Sequence, residues 1–82
     1  MSRASDDELL RIFREAAWEV DQREFDNLSM LTRISDLGVS SVALLEIFGF
    51  IEEELEIYLP QEDLTKVKTL GDLAGLIANS GT

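Results

Sequence analysis

The chain has 82 residues, 45% of them hydrophobic, and carries a formal net charge of −10 at pH 7. It contains neither cysteine nor histidine, which excludes disulfides, thiolate metal sites and the usual base of a serine hydrolase. The acidity argues against nucleic acid and anionic membranes as partners and favours basic proteins instead.

Length and apolar content together predict one small globular domain, residues 1–82, with an ordered core from residue 5 to about residue 78 and short flexible termini. No apolar run in the sequence is long enough to form a membrane span. The N-terminal stretch MSRASDDELL is acidic and lacks the basic segment and the apolar run of a signal peptide. We therefore expect a cytoplasmic, monomeric protein.

The first predicted element is a helix from about Asp6 to about Val20. Ser5 and Glu8 have the spacing of a capping box at its start. The pattern predicts an ion pair between Arg11 and Glu15, one turn apart. Apolar residues recur at helical spacing and predict the buried face: Leu9, Phe13, Ala16, Ala17 and Val20. Trp18 is expected to be partly buried.

A long connection follows from Asp21 to Gly38, in which apolar residues are scattered without a period. Long connections inside small domains are unusual and often functional, and these apolar side chains predict that the segment packs against the core. Gly38 suits a left-handed or tight turn at its end.

The second main helix is predicted to begin at Ser41, with Ser40 as its N-cap. A helical wheel predicts a core stripe of Leu44, Ile47, Phe48, Ile51 and Leu55. The opposite face carries Val42, Glu46, Gly49 and Glu53, with Leu45 and Phe50 at its margins.

Pro60 should end any continuation of this helix, and residues Gln61 to Val67 are expected to form one or two short helical turns. Thr69 is predicted to cap a last helix from Leu70 to about Asn79. The predicted fold is therefore all-α: a small four-helix bundle of three main helices and one short helix. The apolar residues of the last helix should face inward: Leu70, Leu73, Ala74 and Ile77.

The charge is unevenly distributed, because the segment from Ile34 to Thr65 contains eight acidic residues and no basic residue. A solvated surface and a partner-facing patch are both consistent with such a run. Glu52 to Glu54 could likewise form a solvated turn or a docking site. The carboxylates do not have the spacing of a calcium-binding loop.

The stretch DLGVSSVALLEIFGFIEEELEIYLP resembles the central segment of acyl carrier proteins. The family pattern is D-L-G-x-D-S-L, followed by an acidic helix and a proline. The downstream KVKTLGDLAGLI resembles the last segment of the family. The residues in register are Asp36, Leu37, Gly38, Ser41, Glu46, Glu52, Glu53, Glu54 and Pro60, and the similarity extends from Asp36 to Ile77.

The resemblance implies a non-catalytic, acyl-carrier-protein-like bundle. Ser41 would bear 4′-phosphopantetheine, transferred from coenzyme A by a phosphopantetheinyl transferase, and the thiol of that arm would hold acyl groups as thioesters. Asp36, Gly38, Ser40 and Val42 would serve helix capping and transferase recognition. The partners implied are acyl-loading, ketosynthase-type and tailoring enzymes with basic docking surfaces. The residues expected to contact them are Val42, Leu45, Glu46, Gly49 and Glu53.

Three positions differ from the family pattern. Ser40 stands where aspartate usually precedes the modified serine, Val42 replaces a leucine, and Gly49 stands where methionine is frequent. These differences favour a discrete carrier of a specialised polyketide or mixed pathway over one of housekeeping fatty-acid synthesis. A peptidyl or aryl carrier and an unmodified acidic adaptor domain are the alternatives.

Overall fold

The computed structural model describes residues 6–80 and shows a bundle of α-helices. The capping-box residue Ser5 lies outside the described residues. The elements, in chain order, are α1 (Asp6–Asp21), a 3-10 helix (Ile34–Leu37), α2 (Ser41–Leu55), α3 (Gln61–Leu64) and α4 (Leu70–Ser80). This arrangement of three main helices and one short helix confirms the predicted fold class.

Helix α1 packs chiefly against α2 and to a smaller extent against α4. Leu9, Phe13, Ala16 and Ala17 are buried as predicted, Ile12 is buried as well, and Val20 is only half-buried. The predicted ion pair is present on the solvent-exposed side of α1, where the Arg11 guanidinium lies 3.1 Å from the Glu15 carboxylate. Gln22, in the left-handed conformation at φ 51°, follows α1, and its amide donates to the Trp18 carbonyl at 2.9 Å.

The core is formed by apolar side chains from every helix and from the connections between them. Within residues 6–80, fourteen buried residues make up one cluster, which agrees with the single core expected of so short a chain. They are Leu9, Ile12, Phe13, Ala16, Ala17, Ile34, Ile47, Phe48, Ile51, Leu59, Leu64, Leu70, Leu73 and Ile77.

The inward face of α2 differs slightly from the predicted stripe. Ile47, Phe48 and Ile51 are buried as expected, but Leu44 and Leu55 are only half-buried. Ala43, which was not predicted to face inward, is buried. The buried face of α2 therefore begins at Ala43, one position before the predicted Leu44.

The connection between α1 and α2 packs against the core, as predicted, and contains a 3-10 helix that was not predicted. Three backbone hydrogen bonds tie it to the start of α4: Ile34 donates to Lys68 at 2.9 Å, Leu70 to Thr32 at 3.0 Å, and Gly71 to Met30 at 2.8 Å. A single antiparallel bridge pairs Arg33 with Thr69.

Helix α4 begins with a reciprocal cap. The Thr69 hydroxyl accepts from the Asp72 amide at 3.1 Å, as the predicted cap requires. The Asp72 carboxylate accepts from the backbone amides of Lys68 and Thr69 at 3.1 and 3.2 Å. These two backbone hydrogen bonds lower the pKa of Asp72 below its ordinary value of 3.8.

Candidate functional site

The two adjacent serines occupy different positions at the start of α2. Ser40 is the N-cap, with φ −64° and ψ 158°, and its hydroxyl accepts from the Ala43 amide at 3.1 Å. Ser41 is the first helical residue, and its side chain is exposed. The predicted cap and the predicted helix start are both confirmed. The first turn also leaves backbone amides available to an anion attached at Ser41.

The turn that leads into α2 is built around Gly38. This residue ends the 3-10 helix in the left-handed conformation, with φ 69° and ψ 27°, as the sequence predicted. Asp36 lies within the 3-10 helix, where its side chain is exposed. It precedes the turn, so the cap of α2 comes from Ser40 and not from Asp36.

Arg23 holds this turn from the end of α1. Its guanidinium donates to the Leu37 carbonyl at 2.9 Å and to the Gly38 carbonyl at 3.1 Å. The same group stacks over the ring of Phe25, 5.3 Å from the ring centroid. Sequence reasoning missed this contact, because neither a motif nor a period links residues 14 and 15 positions apart.

A groove of about 790 Å³ opens beside Ser41 between the start of α2 and the segment before α4. Its size lies within the range of small-molecule sites. The lining combines apolar side chains with hydroxyls and with the basic residues Arg33 and Lys68. The lining residues are Arg33, Ile34, Ser35, Val39, Ser41, Leu44, Val67, Lys68, Thr69 and Asp72.

The outer face of α2 is exposed and mixes apolar with acidic side chains. Val42 is 70% exposed and Leu45 is 48% exposed. Glu46 and Glu53 are exposed, and Gly49 is half-buried. These exposures agree with the wheel, which placed Val42, Glu46, Gly49 and Glu53 on the outer face and Leu45 at its margin. Whether partners dock there stays a prediction.

Glu52 does not belong with the two acidic residues that follow it. Its carboxylate accepts from the Leu59 amide at 2.7 Å, and the side chain is half-buried. Glu53 and Glu54 are exposed. Glu52 therefore does not belong to a solvated turn, because its carboxylate fixes the segment that follows α2. A docking role for Glu52 to Glu54 stays a prediction.

A second groove, of about 600 Å³, lies at the end of α1. It has an aromatic lining of Trp18, Phe25 and Phe50 surrounded by charged residues. Trp18, expected to be partly buried, is 50% exposed. The predicted attachment and docking residues all lie outside this groove.

Across residues 6–80, no three carboxylate, histidine or cysteine side chains are grouped so as to hold a metal ion. Within the same residues, no helix is both long enough and apolar enough to cross a bilayer.

Comparison with known proteins gives one family match and several relatives. The family described as "Phosphopantetheine attachment site" matches residues 8–77. The tetracenomycin polyketide synthase acyl carrier protein of Streptomyces glaucescens is 39% identical over 56 residues, which is 68% of each chain. An acyl carrier protein of Clostridium perfringens is 44% identical over 46 residues, or 56% of this chain and 60% of that protein.

A third relative, the acyl carrier protein of Bdellovibrio bacteriovorus, is 38% identical over 48 residues, or 58% of this chain and 62% of that protein. The chain therefore spans less than two thirds of two of these three relatives. Because the family match covers most of its length, the chain belongs to the acyl carrier protein family, a class of non-catalytic carriers whose prosthetic group is 4′-phosphopantetheine.

The residues present fit this group. An exposed serine stands at the first position of α2, which is 15 residues long, so an attached phosphodiester would lie near free amides and the positive end of the helix dipole. The neighbouring groove offers apolar surface for the arm and two basic side chains, Arg33 and Lys68, for anionic groups. Membership of the family also implies interaction with biosynthetic enzymes and with a phosphopantetheinyl transferase.

Proposed function

We propose that this protein is an acyl carrier and that Ser41 bears 4′-phosphopantetheine transferred from coenzyme A. When bound, the group supplies a thiol that holds acyl intermediates as thioesters on a flexible tether. The chain itself presents the tether, docks on partner enzymes and contributes no acid or base to their chemistry.

The observation that carries this proposal is the different use of two neighbouring hydroxyls. Ser40 caps α2 through the Ala43 amide at 3.1 Å, whereas Ser41 is exposed and lines the groove of about 790 Å³. A transferase can approach the Ser41 hydroxyl without breaking the cap. The register of Asp36, Leu37 and Gly38 with the family pattern supports the same serine.

For the pathway, we propose polyketide or mixed polyketide biosynthesis. The Streptomyces relative bears the name of a polyketide synthase carrier. The groove beside Ser41 offers hydrogen-bond donors in Arg33, Ser35, Lys68 and Thr69 as well as apolar side chains. This mixed lining suits an oxygenated acyl chain better than a plain alkyl chain, because polar groups of a ketoacyl chain would find partners there.

The partners proposed are the transferase and acyl-loading, ketosynthase-type or tailoring enzymes. Their entrances should be basic and carry a small apolar patch, to match Glu46, Glu53 and the exposed Val42 and Leu45. Charges at the rim of such a contact act mainly on the association rate, which suits a carrier that docks briefly on many enzymes.

The test is intact-mass spectrometry after incubation with coenzyme A and a promiscuous transferase. The unsubstituted chain should gain the mass of phosphopantetheine. Ser41→Ala should abolish the gain while leaving helical circular dichroism unchanged, and Ser40→Ala, the matched control, should retain it. No gain by the unsubstituted chain would favour an unmodified adaptor domain. For cargo, intact mass of the protein from its native host distinguishes an acyl group from an aminoacyl group.

A further inference from the structure

We propose that Arg23 is a positioning residue for the modification of Ser41, an inference that rests on the attachment proposed above. By holding the carbonyls of Leu37 and Gly38, Arg23 fixes the turn that leads into α2. The turn in turn determines how the Ser41 hydroxyl is presented to a transferase.

Arg23 can act as a clamp because both of its ends are held. Its backbone amide donates to the Ala17 carbonyl at 3.2 Å, just after the left-handed Gln22 that follows α1. Its guanidinium reaches the two carbonyls of the turn at 2.9 and 3.1 Å. The side chain therefore joins the end of α1 to a segment 14 and 15 residues further along the chain.

The chemistry of the contact suits arginine better than lysine. The last carbonyls of a helix lack partners within the helix and carry partial negative charge, so a cation placed there satisfies and stabilises them. The planar guanidinium can donate to two carbonyls at once and can stack on the Phe25 ring at 5.3 Å. A lysine ammonium keeps the charge but lacks the planar fork.

The conformation of the turn affects the position of Ser41 because the two are close in the chain. Gly38 adopts φ 69°, and a Cβ atom built on it would lie 3.7 Å from the Arg23 guanidinium. Only Val39 and the capping residue Ser40 separate this turn from Ser41. Releasing the clamp should therefore allow the turn and the first turn of α2 to move, while the buried faces of α1 and α2 stay packed.

The kinetic test compares the unsubstituted chain with Arg23→Ala, Arg23→Lys and Arg11→Ala. Arg11→Ala is the matched control, because it removes the same charge from an arginine whose ion pairs, with Glu8 and Glu15, lie within α1. We expect kcat for phosphopantetheine transfer to fall about tenfold in Arg23→Ala. KM for the carrier should change less than twofold, because the outer face of α2 is intact. Arg23→Lys should recover part of kcat, and Arg11→Ala should leave both constants unchanged.

A second readout does not depend on the transferase. The amides of Ala43 and Leu44 bond to Ser40 beside the turn, at 3.1 and 2.9 Å. Their hydrogen exchange should accelerate in Arg23→Ala relative to Arg11→Ala, while exchange at buried Ile47 and Ile51 stays unchanged. A merely structural role would instead accelerate exchange throughout the helices and lower the melting temperature without lowering kcat of the folded fraction. If Arg23→Ala is unfolded, kcat and hydrogen exchange are compared between Arg23→Lys and Arg11→Ala instead.

The outcomes separate the two proposals. Modification of the unsubstituted chain with equal kcat in every variant would overturn the positioning role and leave the attachment site standing. No modification of the unsubstituted chain would overturn the attachment site, and the positioning role would fall with it. A selective loss of kcat with faster exchange confined to the start of α2 supports both.

Discussion

At the scale of single residues, two side chains of the same type can have different roles because their surroundings differ. Ser40 and Ser41 are chemically identical, yet one hydroxyl caps α2 and the other is exposed beside a groove. Glu52 and Glu53 are also adjacent and identical, yet only Glu52 holds the backbone of Leu59. The sequence predicted the serine cap because capping depends on local spacing. It could not predict the Glu52 bond, which depends on how the chain turns after α2.

The Ser40 position offers a test at this scale. Ser40→Asp places the usual family residue beside Ser41 and keeps a good N-cap, so the free energy of unfolding should change by only about a few tenths of a kcal/mol. The added negative charge should speed modification by a housekeeping transferase with a basic entrance, and most of all at low salt. Transfer rates at two salt concentrations, with thermal melts alongside, measure both effects. A slower reaction at low salt would contradict the charge argument.

At the scale of elements, the helices follow from the sequence and the connections do not. Helical periodicity and capping residues placed both ends of α1 and α4 within one residue of their observed bounds, and they placed the start of α2 at its observed residue. The 3-10 helix and the bridge between Arg33 and Thr69 depend on backbone bonds between residues more than thirty positions apart. Arg23 is a similar case, because its partners are defined by the packed fold rather than by neighbouring residues.

Helix α2 carries the docking prediction. Reversing Glu46 and Glu53 to lysine should lower kcat/KM for the transferase, mainly through slower association, and more strongly at low ionic strength. The double reversal raises the formal charge from −10 to −6, because each change adds two charges. The fold should survive, since exposed charges contribute little to stability.

Reversal of Glu54 and Glu62 is the control for this experiment. Both residues are exposed, and the substitution produces the same net charge. Equal kinetics for the two double variants would mean that only the total charge matters and that the outer face of α2 is a solvated surface.

The cap of helix α4 predicts that the stability of the protein depends on pH. The pKa of Asp72 is lowered, chiefly by hydrogen bonds from the backbone amides of Lys68 and Thr69. A carboxylate with a lowered folded pKa stabilises the fold above its unfolded value, here 3.8, and this contribution is lost as the pH falls through the folded pKa. Asp72→Asn should therefore be less stable than the unsubstituted chain at neutral pH, and the difference should shrink in acid. Urea unfolding at stepped pH measures it; a difference independent of pH would contradict the role of the charge.

At the scale of the whole molecule, a single core stabilises a chain of only 82 residues. Small domains have a small free energy of unfolding, so one cavity in the core can remove much of it. The predicted interior was largely correct because apolar periodicity identifies buried faces. Ile34 is buried in the connection that was predicted to pack against the core. Leu59 was missed because it lies in a connection where no period marks burial and packing between distant segments decides it.

Ile51 and Leu45, in the same helix, provide a matched pair of substitutions that tests the assignment of the buried core. Ile51 is fully buried in α2, and Ile51→Ala should cost about 2–5 kcal/mol in the free energy of unfolding by leaving a cavity. Leu45, in the same helix, is 48% exposed, so Leu45→Ala should cost far less. Urea denaturation of the two variants measures the difference, and equal losses would show that the faces of α2 are assigned wrongly.

The central claim is that the prosthetic group is attached at Ser41, and fragmentation mass spectrometry tests it most directly. The protein is modified with coenzyme A and a transferase, digested, and the peptide that contains Ser40 and Ser41 is sequenced by electron-based fragmentation. The added mass should begin at the fragment ions that include Ser41 and should be absent from those that end at Ser40. Added mass on Ser40, or on any peptide without these two serines, would contradict it.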